Sequence, residues 1–295
     1  MREMRTLRVK LAMVQPRSYA RFMSASQAIF DADSPPESEN LRAAERYAEQ
    51  AAANGAQVVA FPEFYPGPGY KPSEIDFGAV CAHMAAKARE LGVYLLFGGV
   101  RREGEKAWNA YNLASPAGGE IASYAKMIPA AGEPAEPGTN PGIFRTPILT
   151  IGIVTCWEAW FPELSRAVAF AGADLIVYPT GGLVYELRDS WRHILAARAA
   201  ENLVYTASCL NLFGVEAGMC DIYSPEGLVA ELAAEGVNYA ELDLERLAYL
   251  RSRDEAMTMP KLYRAIPGTQ RALRPAVVEA YQKAAAELLN RTGAK

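Results

Sequence analysis

Cys156 closes the apolar run Ile148–Thr155 (ILTIGIVT) and precedes WEAWFPELSRAVAF, which has helical spacing. A thiol on a strand-to-helix bend projects from the turn, and backbone N–H groups at the helix start point to the same spot. Such N–H groups lower a thiol's pKa and supply half of an oxyanion hole, the setting of a nucleophile. Cys81, Cys209 and Cys220 fall inside apolar helix or strand patterns, where inert buried thiols are expected. The four cysteines are widely spaced, with no CxxC pair and no histidine at ligand spacing. That pattern speaks against a metal site and for free thiols in a reducing compartment.

Glu63 ends the run VVAFPE, so its carboxylate stands where an apolar strand opens onto the rim of a sheet. Burial there raises a carboxyl pKa and makes it a candidate base. Lys126 lies in EIASYAKMIP, between Tyr124 and Met127-Ile128, a poor place for free solvation. An ammonium fixed there would stabilise a tetrahedral oxyanion. Glu133 follows seven residues later in a Pro/Gly-rich loop and could orient the lysine or a substrate nitrogen. Only two histidines occur, His83 and His193, both in helical patterns where a packing role is expected. A Cys/His dyad therefore has no obvious base, and a glutamate takes that place. GxSxG, P-loop and GxGxxG motifs are absent.

These residues need rigid supports. Leu41, Ala44, Ala48 and Ala51 have helical spacing, as do Val80, Met84, Ala88 and Leu91. Leu164, Ala167, Val168 and Ala171 form a third stripe, and Trp191, Ile194, Leu195 and Arg198 open a fourth helix. Between them Val58–Phe61, Val93–Phe97, Leu149–Val154 and Leu175–Tyr178 are continuous apolar runs, the mark of strands covered on both faces. Helices over a two-sheet core are expected. A weak repeat supports two similar halves: GAQVVAFPE from Gly55 matches GADLIVYPT from Gly172, and HMAAKARELGVY matches HILAARAAENLVY. Pro66–Gly69 and Pro129–Gly142 read as loops beside the chemistry, and Ser24–Glu39 as a polar excursion over the entrance. Residues 1–265 read as one domain, and 266–295 as a tail with a helix over Ala276–Asn290.

The chain of 295 residues is 51% apolar and 22% charged, the balance of a globular protein with an ample core. Its net charge of −4 and lack of a basic stripe argue against a nucleic-acid or anionic-membrane partner, and neither is expected. No apolar run approaches the roughly 18 residues that span a bilayer, and no signal peptide is legible, so a cytoplasmic location is expected.

Taken together, VVAFPEFY, SYAKMIPAAGEPAEPG and GIVTCWEAWFPELSRAVAFAGADLIVYPT resemble the nitrilase superfamily of carbon–nitrogen hydrolases, and the resemblance runs to about residue 250. It implies an α/β fold, an αββα sandwich of two β-sheets flanked by helices, pairing into a homodimer or higher homo-oligomer. The helix Pro162–Ala171 and the tail would meet the partner. The resemblance implies Glu63 as general base, Cys156 as nucleophile, Lys126 with the Trp157 N–H as oxyanion stabiliser, and Glu133 as a positioning group. It implies a small-molecule substrate, a thioester intermediate and no cofactor. Cys156-Trp157-Glu158 resembles true nitrilases, whereas Glu133 to Gly138 (EPAEPG) is closer to amidases, the favoured branch. A nitrilase is the runner-up; acyl transfer would use the same residues, and a non-catalytic scaffold would be expected to lack one of the four. Tyr65, Tyr70, Trp157, Trp160, Thr180 and Gly181 follow the strand ends and are candidates to line the pocket.

Overall fold

The structure is a computed structural model and describes residues 8–18, 38–70, 75–118, 122–182, 187–212, 218–253, 279–284 and 286. The chain divides into two compact units, Met1–Leu247 and Ala248–Lys295. The expected boundary after Ala265 and most of the excursion Ser24–Glu39 lie outside the described residues; Ser38 and Glu39 begin a helix. In the second unit residues 279–284 are helical, within the expected helix Ala276–Asn290.

The first unit is built from two six-stranded sheets. In chain order the first sheet takes β1 (Arg8–Gln15), β2 (Val58–Ala60), β3 (Tyr94–Glu103), β4 (Lys106–Ala114) and β5 (Ala122–Ala125). The second takes β6 (Gly142–Arg145), β7 (Thr150–Ile153), β8 (Leu175–Thr180), β9 (Tyr205–Leu210), β10 (Cys220–Ser224) and β11 (Gly227–Leu232). The last strand, β12 (Gly236–Asp243), returns to the first sheet, antiparallel to β1. The spatial orders are β12-β1-β2-β3-β4-β5 and β11-β10-β9-β8-β7-β6. In each sheet three parallel strands lie side by side, β1-β2-β3 and β7-β8-β9, with antiparallel strands at both flanks.

The sheets face each other across a core that includes Leu11, Met13, Val58, Leu96, Ile151, Val177 and Cys209. Helices α1 (Ser38–Ala53) and α2 (Phe77–Leu91) cover the other face of the first sheet with Ala44, Ala48, Val80 and Met84. Helices α3 (Pro162–Phe170) and α4 (Arg188–Asn202) cover the second with Val168, Trp191 and Leu195. Strands β2, β7 and β8 are thus buried on both faces, in keeping with the continuous apolar runs in which they lie. Helix α2 is bounded by Asp76, whose carboxylate accepts the Ala79 N–H, and by Gly92 in the left-handed region.

The sequence repeat has a structural counterpart: β2 and β8 are the central parallel strands of their sheets, and α2 and α4 each lead into the third. His83 and His193 do not pack as expected. His193 is exposed, and His83 is half-buried on the helix surface, with Nε2 2.9 Å from Glu45 Oε1. Ala85 and Leu195 take the helix-to-sheet contacts instead. Among the described residues no helix is long and apolar enough to cross a membrane.

Candidate active site

Glu63 sits in the turn that leaves β2 and is only 2% exposed. The turn is clamped from two directions. Asn211, just past β9, donates its Nδ2 to the Glu63 carbonyl at 2.8 Å, so the second sheet holds the backbone of the first. On the other side Gly98 of β3 passes so close that a Cβ there would lie 2.7 Å from Phe64 N. Glycine at 98 therefore sets how tightly the turn can seat.

Lys126 follows β5 directly and is also 2% exposed. Its backbone N–H donates to Asn109 O at 2.9 Å, and its carbonyl accepts the Gly138 N–H at 2.7 Å. Residues 126–138 thus form a closed loop. Glu133 hangs inside it, and its own Oε2 accepts the Ala130 N–H at 2.7 Å. The Lys126 ammonium lies 2.8 Å from Glu63 Oε1 and 2.9 Å from Glu133 Oε2. Asn109 Nδ2 reaches both carboxylates, and the Tyr70 hydroxyl donates to Glu133 Oε1 at 2.7 Å.

Cys156 comes from the second sheet. It opens a five-residue 3-10 helix, Cys156–Trp160, directly after β7, with a positive φ of 49°. A non-glycine residue in that region is sterically disfavoured and marks a bend held by its surroundings. The holding group is Glu158. Its carboxylate accepts the Thr155 N–H at 2.7 Å, the Met127 N–H at 2.7 Å and the Ile128 N–H at 3.0 Å. The Tyr124 hydroxyl lies 2.8 and 2.9 Å from its two oxygens. One buried side chain therefore ties the cysteine bend to the residues flanking Lys126.

The electrostatics follow from this packing. Burial works against the Lys126 charge, but Glu63, Cys156 and Glu133 outweigh it and raise the ammonium's pKa. Burial likewise opposes ionisation of Glu133, yet Lys126 prevails and holds it below the usual carboxylate value. Burial pushes the Glu158 carboxyl up, against the donors it accepts. Cys156 departs from the expected lowering: burial and the Glu63 charge raise its thiol pKa more than Lys126 and the Gly181 N–H lower it. A 3-10 turn of five residues offers too little aligned backbone to reverse that balance. The resting thiol is protonated and needs a base to become a nucleophile.

Glu63, Lys126, Glu133, Tyr70 and Gly181 converge, since the Gly181 N–H also donates to Glu63 Oε2 at 2.7 Å. Thr180 is buried just before it at the end of β8, its hydroxyl on Tyr178 O. Tyr65 is buried on the helix side of the first sheet, stacked on Phe61. Trp160 turns toward Trp191 in the helix layer, and the Trp157 ring, 40% exposed, leans on Trp160 and Phe161. Asn109, Glu158, Tyr124 and Asn211 were missed in the sequence. Asn109 alone carried a signal, an amide inside the strand pattern WNAYN, which must find partners when buried. A concavity of about 650 Å³ lined by Asp76, Cys81, Arg101 and Asn112 contains none of these groups. Among the described residues no cluster of three or more His, Cys, Asp or Glu could hold a metal ion.

Residues 10–252 match the carbon–nitrogen hydrolase family. The chain is 30% identical to an omega-amidase from Xenopus tropicalis, over 75% of this chain and 88% of that one. It is 28% identical to a deaminated glutathione amidase from Synechocystis sp., over 74% of this chain and 91% of that protein. The fold superposes on the crystal structure of an amidase from Nesterenkonia sp. with a TM-score of 0.68 at 26% identity, covering 81% of this chain and 92% of the other.

Proposed function

The chain belongs to the carbon–nitrogen hydrolase family and is an amidase working through a cysteine, and we propose that Cys156 is that cysteine and that the substrate is a small carboxamide. The observation that carries this reading is the convergence on Cys156 of the Glu63 carboxylate and the Lys126 ammonium, 2.8 Å apart, with the Gly181 N–H facing both the thiol and Glu63 Oε2. Glu63 takes the Cys156 proton as Sγ bonds to the carbonyl carbon, and the oxygen gains negative charge beside the Lys126 ammonium. The proton on Glu63 passes to the leaving nitrogen, the C–N bond breaks, and ammonia or an amine departs from a thioester. Water then gives a proton to Glu63 and attacks the thioester carbon. The S–C bond breaks, the thiolate recovers its proton from Glu63, and the acid leaves. Lys126 and Glu133 remain ionised throughout as the fixed electrostatic frame.

Cys156→Ala is expected to remove turnover by at least about a thousandfold, measured as ammonia release from primary amides. Full turnover by that variant would refute the assignment. A panel of matched amides and nitriles tests the bond: nitrile turnover well above amide turnover would make the chain a nitrilase instead. We further propose a cytoplasmic protein that is at least a homodimer. Free thiols support the compartment, and exposed Trp157, Phe170 and Leu187 around α3 and the start of α4 support the contact. Light scattering at micromolar concentration is expected to give at least twice the chain mass; a monomer would contradict it.

A further inference from the structure

Asn109 lies within β4, 2% exposed, and one nitrogen of its side chain serves two carboxylates. Nδ2 donates to Glu63 Oε1 at 2.6 Å and to Glu133 Oε1 at 2.7 Å, which uses both amide hydrogens. Its backbone carbonyl accepts the Lys126 N–H, so the same residue holds all three charged groups. Its neighbours on that face of the strand, Ala107 and Tyr111, are buried hydrophobic residues, and packing alone would not call for an amide.

The bonding makes the two carboxylates unequal. Glu133 Oε1 accepts from Tyr70 and Asn109, and its Oε2 from Lys126 and Ala130 N. Glu63 Oε1 accepts from Lys126 and Asn109, but its Oε2 accepts only from Gly181 N among the described residues. A carboxylate oxygen has about two acceptor directions. Of the two glutamates, only Glu63 Oε2 therefore keeps a direction for a new proton, beside the N–H that also faces the thiol.

We propose that Asn109 is a positioning residue that selects the proton acceptor of the site, filling Glu63 Oε1 and Glu133 Oε1 so that the Cys156 proton goes to Glu63 Oε2. The inference rests on the amidase reading above. In the step it governs, the Sγ–H bond breaks and an Oε2–H bond forms, and the same proton later leaves with the nitrogen. Glu133, with both oxygens engaged, stays out of proton transfer.

The test uses the full chain, the fastest primary amide of the panel, and the variants Asn109→Ala and Asn109→Asp beside the parent and Cys156→Ala. Asn109→Ala is expected to lower kcat by about 10- to 100-fold, a part of what general base catalysis contributes, with KM within about threefold. In Asn109→Asp an oxygen replaces Nδ2 and faces Glu63, Glu133 and Lys126, with Tyr70 beyond. It can donate only when protonated, so its rate optimum moves to lower pH than the parent's. Asn109→Ala with a kcat within about twofold of the parent would overturn the proposal. So would variants that lose activity with the parent's pH profile unchanged, the result of a packing role. If Asn109→Ala lacks a cooperative thermal transition, Asn109→Ser, which keeps one donor, decides by the same two readouts. Turnover by Cys156→Ala would instead defeat the amidase reading, a separate outcome.

Discussion

Lys126 holds its charge between two carboxylates and is almost fully buried, and the two signs of its surroundings make a stability prediction. Glu133 has a lowered pKa, so its contribution is present above the ordinary carboxylate value of 4.5 and is lost as pH falls through the folded value. Lys126 has a raised pKa, so its contribution is present below the ordinary lysine value of 10.5 and is lost as pH rises through the folded value. The set therefore stabilises the fold between those two limits. Lys126→Met strands both carboxylates and is expected to cost about 3–5 kcal/mol at pH 7. Acidification toward pH 5 should then raise the variant's melting temperature, because protonation relieves the repulsion, while the parent gains nothing. Thermal melts across pH 4 to 11 check this; a variant melting curve that falls with acid as the parent's does would refute it.

At the scale of elements, the loop 126–138 is the part that turns a strand end into a charged site. It is pinned at its neck by Gly138, where an added Cβ would lie 2.0 Å from Ala125 O. Gly138→Ala must move the neck and with it Glu133 and the Lys126 carbonyl. We expect a loss of about 1–3 kcal/mol, the usual cost of overpacking, together with reduced kcat; a variant with parental melting and activity would show that the neck can yield. The supports of the site were legible where buried strands leave continuous apolar runs, as β2, β7 and β8 do, whereas β9 is just as buried but carries Thr206 and Ser208 and left no such run. Edge strands were not legible either. β11, with Leu228 and Val229 exposed, carries no such run and was not foreseen. Glu63, Lys126 and Cys156 stood out because each charge or thiol abuts apolar residues, and Glu133 because it follows Lys126 by seven residues in a Pro/Gly-rich loop. Asn211 and Glu158 did not, since their partners lie 148 and about 30 residues away and only the folded register brings them together. The thiol's raised pKa was equally hidden, because it depends on burial and on Glu63, neither of which local sequence displays.

The whole molecule divides the chemistry between its halves. Glu63, Asn109 and Lys126 belong to the first sheet, Cys156 and Gly181 to the second, and the bonds from Asn211 and Glu158 cross between them. On the proposed assignment, neither sheet alone holds both the base Glu63 and the nucleophile Cys156. The sheets are also unequal in how they close. The second uses one continuous stretch, Gly142 to Leu232, whereas the first needs its last strand back beside its first, with Arg8 bonded to Glu241 across 233 residues. During translation, at roughly 5–20 residues per second, β1 waits on the order of 12–50 s for that neighbour. The nascent chain therefore carries an uncovered β1 edge until β12 has been made. The cysteine's half can be complete while the glutamate's half is still open.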